Sequence, residues 1–289
     1  MQRNMDFKTL LYRAKSWLRH QLTAWNTGGE GVHSPYLFEW VRMVMTDKNE
    51  YYKWEEIEMR RQAMLQDRRE LEFVDYGSAM KSHGLENGSE AAYRLEFRDI
   101  RRVCDIARGS LAKREYAQML YRLVNWLGHQ LREDGRGLEI VELGTSLGIT
   151  TAYLAAADKR DRVKTYEGCA AVASVAQENW QNLGLDNILC YVGEIDIEKL
   201  KKDVAILDVA FIDANHTYAN TLEYFSVLAD KAHEKSIIVV DDIHYNKDME
   251  HAWRKVCEDE RVTSTIDLYQ MGLVFFDKHY WNRNYKMRL

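Results

Sequence analysis

The stretch VELGTSLGIT, Val141 to Thr150, joins an apolar run to an apolar helix through two glycines, with an acid two residues before the first. A run that turns through glycine directly into a helix opens a strand–helix–strand unit. Repeated units of this kind build a parallel sheet covered on both faces. The chain downstream repeats the pattern. LEIVEL, RVKTYE, NILCYVG, LDVAFID and SIIVVDD are short apolar runs, separated by helical stretches such as AAVASVAQENWQNLG and YANTLEYFSVLADKAH. VTSTIDLYQMGLVFFDK then supplies two extended runs broken at Gln270, Met271 and Gly272, which reads as an antiparallel hairpin.

Upstream of Gly135 the texture is helical. Phe7, Leu10, Leu11, Ala14, Trp17, Leu18 and Leu22 recur at three- and four-residue spacing, as do Tyr116, Met119, Leu120, Leu123, Val124, Leu127 and Leu131. Lys53 to Leu71 reads as a heavily charged helix, followed by a loop rich in Gly, Ser and Asn from Tyr76 to Ser89, a candidate mobile element. The organisation predicted is a mostly helical segment over 1–112 and an α/β domain over 113–289.

The bulk numbers narrow the function. A chain of 289 residues buries a core without cross-links, and Cys104, Cys169, Cys190 and Cys257 stand too far apart for a disulfide framework or a thiolate zinc site, which fits a reducing cytoplasm. A formal net charge of −5 gives no global pull toward nucleic acid, so a small molecule is the expected ligand. Neither a signal peptide nor a membrane-spanning run is visible. Arg3, Lys8, Arg13, Lys15 and Arg19 accompany the first apolar stripe and would suit a membrane surface. Any surface helix is amphipathic, however, and this one is read as an ordinary helix docked on its own domain, with no membrane partner.

In an open parallel sheet, ligands bind beyond the carboxyl ends of the strands, where the strand order reverses. Gly144 lets backbone approach a ligand there, and Gly148 lets the next helix start close to it. A dinucleotide fingerprint would need glycines where Ser146 and Ile149 stand, so a pyrophosphate is not provided for. Glu142 suits a ligand with a cationic end, and Glu167, at the end of the second run, is placed to accept hydrogen bonds from ribose hydroxyls.

In order, E-L-G-T-S-L-G, T-Y-E-G, Y-V-G-E, F-I-D-A-N-H-T-Y and V-V-D-D-I-H resemble the class I S-adenosylmethionine-dependent methyltransferases, over roughly Arg114 to the C terminus. The resemblance implies a Rossmann-like, seven-stranded mixed sheet with an antiparallel terminal strand and helices on both faces. It implies that Glu142, Gly144, Thr145, Ser146 and Gly148 line the methionine half of the cofactor. Glu167 would take the ribose, Gly193 and Glu194 would border the adenine, and Asp213 would complete the site.

Asp213, Asp241 and Asp242 end the fourth and fifth runs, so three carboxylates converge on the same edge and need a counter-ion. Oxygen ligands suit magnesium or manganese, which could lower the pKa of a substrate hydroxyl. The pattern F-I-D-x-x-H-x-Y followed by V-D-D-x-H resembles metal-dependent O-methyltransferases, except that Asn215 stands where that group commonly has a second acid. An amide takes no proton, which leaves His216 and His244, beside Asp213, as candidate catalytic residues. The competing reading has the aspartates bonding loop amides and transfer proceeding by proximity alone.

GGEGVHSPYLF, Gly28 to Phe38, holds the only proline and raises His33 and Ser34 as substrate contacts, against a proline-initiated helix capped by Ser34. Its G-x-H-S-P pattern resembles an uncharacterised bacterial group of methyltransferases with a helical N-terminal part. The tail KHYWNRNYKMRL mixes basic residues with Tyr280, Trp281 and Tyr285, and is read as packed on a sheet edge or a sister subunit, leaving a homodimer open. The reaction expected is methyl transfer to a hydroxyl of a small-molecule acceptor. The rivals are transfer to nitrogen on RNA or protein, and a binding protein that has lost catalysis.

Overall fold

The computed structural model describes residues 7–24, 28–29, 31–75, 97–132, 135–278 and 283–289. The loop expected over 76–89 lies outside them, as do Arg3, Tyr280 and Trp281. The N-terminal part contains α1 (Phe7–Thr23), α2 (Pro35–Trp40) continued by a π-helical turn (Val41–Met45), α3 (Tyr52–Gln66), β1 (Glu70–Asp75), β2 (Phe97–Arg102), α4 (Val103–Ser110) and α5 (Arg114–Leu131). After it come β3 (Glu139–Leu143), α6 (Ile149–Ala155), β4 (Arg162–Glu167), α7 (Ala170–Leu183), β5 (Ile188–Val192) and α8 (Ile197–Asp203). β6 (Leu207–Ile212), α9 (Tyr218–Ala229), β7 (Ala232–Asp241), α10 (Lys247–Cys257), β8 (Ser264–Asp267), β9 (Met271–Phe275) and β10 (Arg283–Lys286) complete the chain.

The expected parallel sheet forms, in the order β10-β8-β9-β7-β6-β3-β4-β5. Only β9 runs antiparallel to its neighbours β7 and β8. The described sheet has eight strands rather than seven, because the basic tail adds β10 in parallel register beside β8, Tyr285 opposite Ile266. Short strands become a core here because both faces are covered. Ile140, Val209, Phe211, Ile237 and Val239 point into one cluster, while Val141, Leu143, Ala210, Ile212, Ile238 and Val240 point into the other. That period of two inside continuous apolar runs is what a doubly covered sheet requires. The order reverses between β3 and β6, which sets the carboxyl-edge crevice beside β3.

The N-terminal part joins this core. Leu37, Trp40, Val41 and Val44 share a cluster with Leu123 and Leu127 of α5 and with Ile266 and Leu273 of the sheet. Ser34 caps α2, its Oγ accepting from Leu37 N at 3.2 Å with Pro35 in the first turn, and His33 is exposed. The charged helix stops at Gln66, five residues short of the expected end. Asp67 leaves the helix in an extended conformation and accepts from Arg69 N at 2.8 Å, and Leu71 falls in β1. β1 and β2 then pair antiparallel, and their charged residues hide their strand character from a hydrophobicity pattern.

α1 docks on the domain, as expected of it. Its polar face meets the domain: the Tyr12 hydroxyl donates to Glu250, Arg19 pairs with Glu250 at 3.3 Å, and buried His20 lies 3.2 Å from Asp267. The surface beneath offers carboxylates, so the apolar stripe turns outward. Leu10, Leu11, Trp17, Leu18 and Leu22 are exposed, Leu22 to 78%.

Candidate functional site

Five non-glycine residues adopt left-handed backbone among the described residues: Ser146, Asn215, His216, Asp242 and Tyr269. All five lie in loops at the carboxyl edge of the sheet, after β3, β6, β7 and β8. Strain of this kind persists only where surrounding structure enforces it, and it gathers at functional sites.

The glycine loop after β3 is pinned from several sides. Gly144 N and Thr145 N both donate to Tyr166 O, and Asp213 N donates to Leu143 O. A Cβ on Gly144, at φ +99°, would lie 2.1 Å from Asp213 O, so this glycine serves the close approach of two strand ends. Gly148, at φ +73°, leaves room for Trp180 and Ala176 of α7 and starts α6. Glu167 bridges the loop to the next strand, accepting from Ser146 N at 2.8 Å and Cys169 N at 2.9 Å. Burial raises its pKa against those two amide bonds. At the end of β5, Gly193 donates to Glu167 O and has open space where a Cβ would be, with Glu194 exposed beside it.

Glu142 is completely buried. Its Oε2 accepts from Thr151 and Thr165 at 2.5 and 2.6 Å, while Oε1 has no hydrogen-bond partner. Burial pushes its pKa up to about 8, although the two threonine hydroxyls pull the other way. An orphaned buried carboxyl oxygen at the mouth of a glycine loop is a group awaiting a donor. The site therefore fits S-adenosylmethionine on the donor set alone: a buried acid for the cationic end, a half-buried carboxylate for ribose and an open edge at Gly193.

The second constellation forms around His216. Its Nε2 lies 2.9 Å from Asp213 Oδ1 and 3.5 Å from Asp242 Oδ2. Burial pulls the imidazole pKa down, but the hydrogen bond and charge of Asp213 and the charge of Asp242 outweigh it and raise it to about 9. The counter-ion the carboxylates need is thus a protonated histidine. Asp241 is buried with Oδ1 unpartnered, and burial raises the pKa values of Asp241 and Asp242. Among the described residues, no three His, Cys, Asp or Glu side chains group as a metal site. His216 thus stands between Asp213 and Asp242, two of the three carboxylates expected to hold magnesium or manganese.

Asn215 and His244 are engaged elsewhere. Asn215 Nδ2 donates to the Tyr224 hydroxyl at 2.7 Å. His244 lies 2.9 Å from Asp267 Oδ2 and stacks on Tyr269 at 5.2 Å, so Asp267 sits between His244 and His20 of α1. That three-residue link was invisible in the sequence, because His20 and Asp267 are 247 residues apart. The contacts that bring the N-terminal part to the edge were equally hidden. Ser110, ending α4, bonds Ser146 at 2.7 Å, and Cys169 Sγ meets Glu72 O and Val74 N of β1. No helix among the described residues is long and apolar enough to cross a membrane.

Residues 141–243, which span the glycine loop through the β7 loop, match the family model of a methyltransferase domain. The match bears out the resemblance to class I S-adenosylmethionine-dependent methyltransferases. No curated protein sequence matches the chain. Among solved structures, cofactor-bound Rv0187 from MTB is 22% identical over 57% of this chain and 81% of its own, with TM-score 0.48. The O-methyltransferase TomG from Streptomyces achromogenes, solved with SAM, is 18% identical over 58% and 82%, with TM-score 0.48. An O-methyltransferase from Bacillus cereus, solved with SAH, is 15% identical over 81% and 95%, with TM-score 0.48.

Proposed function

We propose that this chain transfers the methyl group of S-adenosylmethionine to a hydroxyl oxygen of a small molecule. The cofactor is assigned to the β3–β4–β5 side of the carboxyl edge and the acceptor to the β6–β7 side. One observation carries the reading: Glu167 is held at the end of β4 by the amides of Ser146 and Cys169, where a carboxylate can accept from both ribose hydroxyls. Buried Glu142, with its free Oε1, supplies the acid for a cationic methionine end.

When bound, the cofactor supplies a methyl group activated by its sulfonium. What the protein contributes is orientation and a deprotonated oxygen. His216 is a cation below about pH 9, beside the position assigned to the acceptor, and favours the ionised form of a nearby hydroxyl. Asp242, its pKa raised by burial, accepts a proton more readily than an ordinary carboxylate, and Asp213 keeps His216 in place. His216 becomes a base itself only as the pH approaches 9. His244, paired with Asp267, orients the β7 loop.

The test is calorimetric titration with S-adenosylmethionine of the wild type and Glu167→Ala, followed by incubation with hydroxylated acceptors and measurement of S-adenosylhomocysteine. Micromolar binding lost in the variant, with turnover on a hydroxyl, supports the reading. No binding by folded protein refutes it, methylation at nitrogen redirects it to the rival transferase, and binding without turnover leaves a cofactor-binding module.

A further inference from the structure

We propose that the outward face of α1, together with the C-terminal tail, is a docking surface for an anionic lipid bilayer. The helix exposes Leu10, Leu11, Trp17, Leu18 and Leu22 while its polar side holds the domain. Leu10, Arg13, Ala14, Trp17, Leu18 and Tyr269 line a groove of about 530 Å³ along it. Contiguous apolar surface of this kind on a soluble domain marks an interaction site.

Charge identifies the partner. Residues 7–23 carry four Lys or Arg residues and no acid, in a chain whose net charge is −5; Lys15 is exposed beside the leucines, and Arg19 is exposed while pairing with Glu250. The tail, 283–289, carries Arg283, Lys286 and Arg288, again with no acid, and all three are exposed. Arg288 donates to Ala24 O at 3.3 Å, which brings the tail to the end of α1. An apolar face with a tryptophan, flanked by cations, is built for the headgroup boundary of an anionic leaflet. A second copy docked about a two-fold axis would set these cations against themselves. Nucleic acid would leave the leucines uncovered.

The test is co-sedimentation of the full-length protein with vesicles of phosphatidylcholine, with and without phosphatidylserine. Binding is expected to require phosphatidylserine and to weaken with salt. Lys15→Ala and Lys286→Ala should each weaken it about fivefold, and Leu18→Ser/Leu22→Ser should remove most of it. These side chains are exposed, so thermal melts of the variants should match the wild type. No sedimentation with either vesicle overturns the proposal, as does binding indifferent to both sets of variants. A dimer in velocity sedimentation that the leucine variant dissolves, without lipid binding, would assign the face to a second copy instead.

Discussion

His216 Nε2 lies 2.9 Å from Asp213 Oδ1, three residues back along the same loop, and this pairing makes the histidine the resident cation of the carboxyl edge. Both Asn215 and His216 take left-handed backbone to bring the ring there. The folded pKa, about 9, stands above the ordinary 6.5, so the interaction contributes stability fully below pH 6.5 and loses it as the pH rises through 9. With the ring about a third exposed, screening leaves roughly 1 kcal/mol. His216→Gln should therefore melt about 2 °C below wild type at pH 6 and level with it above pH 9. A gap constant across that range would mean the ring is not held charged. The same variant should lower kcat about a hundredfold at neutral pH.

Glu167→Ala should weaken S-adenosylmethionine binding about a hundredfold, the loss of about 3 kcal/mol in charge-assisted hydrogen bonds to two hydroxyls. It also frees the amides of Ser146 and Cys169. Glu167→Gln separates the two effects, since its carbonyl can still accept from one amide. Calorimetry showing equal affinity for all three proteins would place the ribose elsewhere.

Glu142 couples cofactor binding to proton release. Burial holds its folded pKa near 8, so at neutral pH the free protein carries a protonated acid that a cationic ligand must ionise. Affinity should rise with pH, by up to tenfold per unit, until about pH 8 and then flatten. Titrations in buffers of different ionisation enthalpy should show one proton leaving. Glu142→Gln should bind with no such slope. A raised carboxyl pKa contributes stability below 4.5 that is lost as the pH rises through 8, so the glutamine variant should melt progressively higher than wild type across that window.

Two glycines at the same edge should respond unequally to alanine. At Gly144 the new Cβ would meet the Asp213 carbonyl at 2.1 Å on a backbone with φ +99°, and the loss should exceed about 4 kcal/mol. At Gly193 nothing lies within 4 Å, so only the strain of φ +117° remains, about 1–3 kcal/mol. Chemical denaturation of both variants measures the difference.

Breaking the His20–Asp267 contact should release α1. His20→Ala leaves a buried carboxylate short of one partner, at a cost of about 3 kcal/mol, and should expose α1 amides to rapid hydrogen exchange while β7 stays protected. Unchanged exchange over α1 would show that Tyr12 and Arg19 suffice to hold it.

The alternation of apolar runs and helices was enough to determine a doubly covered parallel sheet, because burial on both faces leaves a continuous hydrophobic signature in each strand. The ordered acids and glycines also determined where a ligand site belongs, since residues that end consecutive strands share an edge by topology alone. The sheet-edge place of the tail was legible, but the strand character of β10 and of the β1–β2 pair was not, because these strands are short and charged, with pairing energy that lies in backbone bonds common to every sequence. The state of the carboxylates was a tertiary decision. Asp213, Asp241 and Asp242 read as metal ligands or as acceptors of loop amides, and only the left-handed turn at Asn215 and His216 placed an imidazole between two of them. The orientation of α1 was likewise decided from outside the helix. Periodicity shows that a helix has two faces, but which one turns inward depends on the surface it meets, and here that surface presents Glu250 and Asp267.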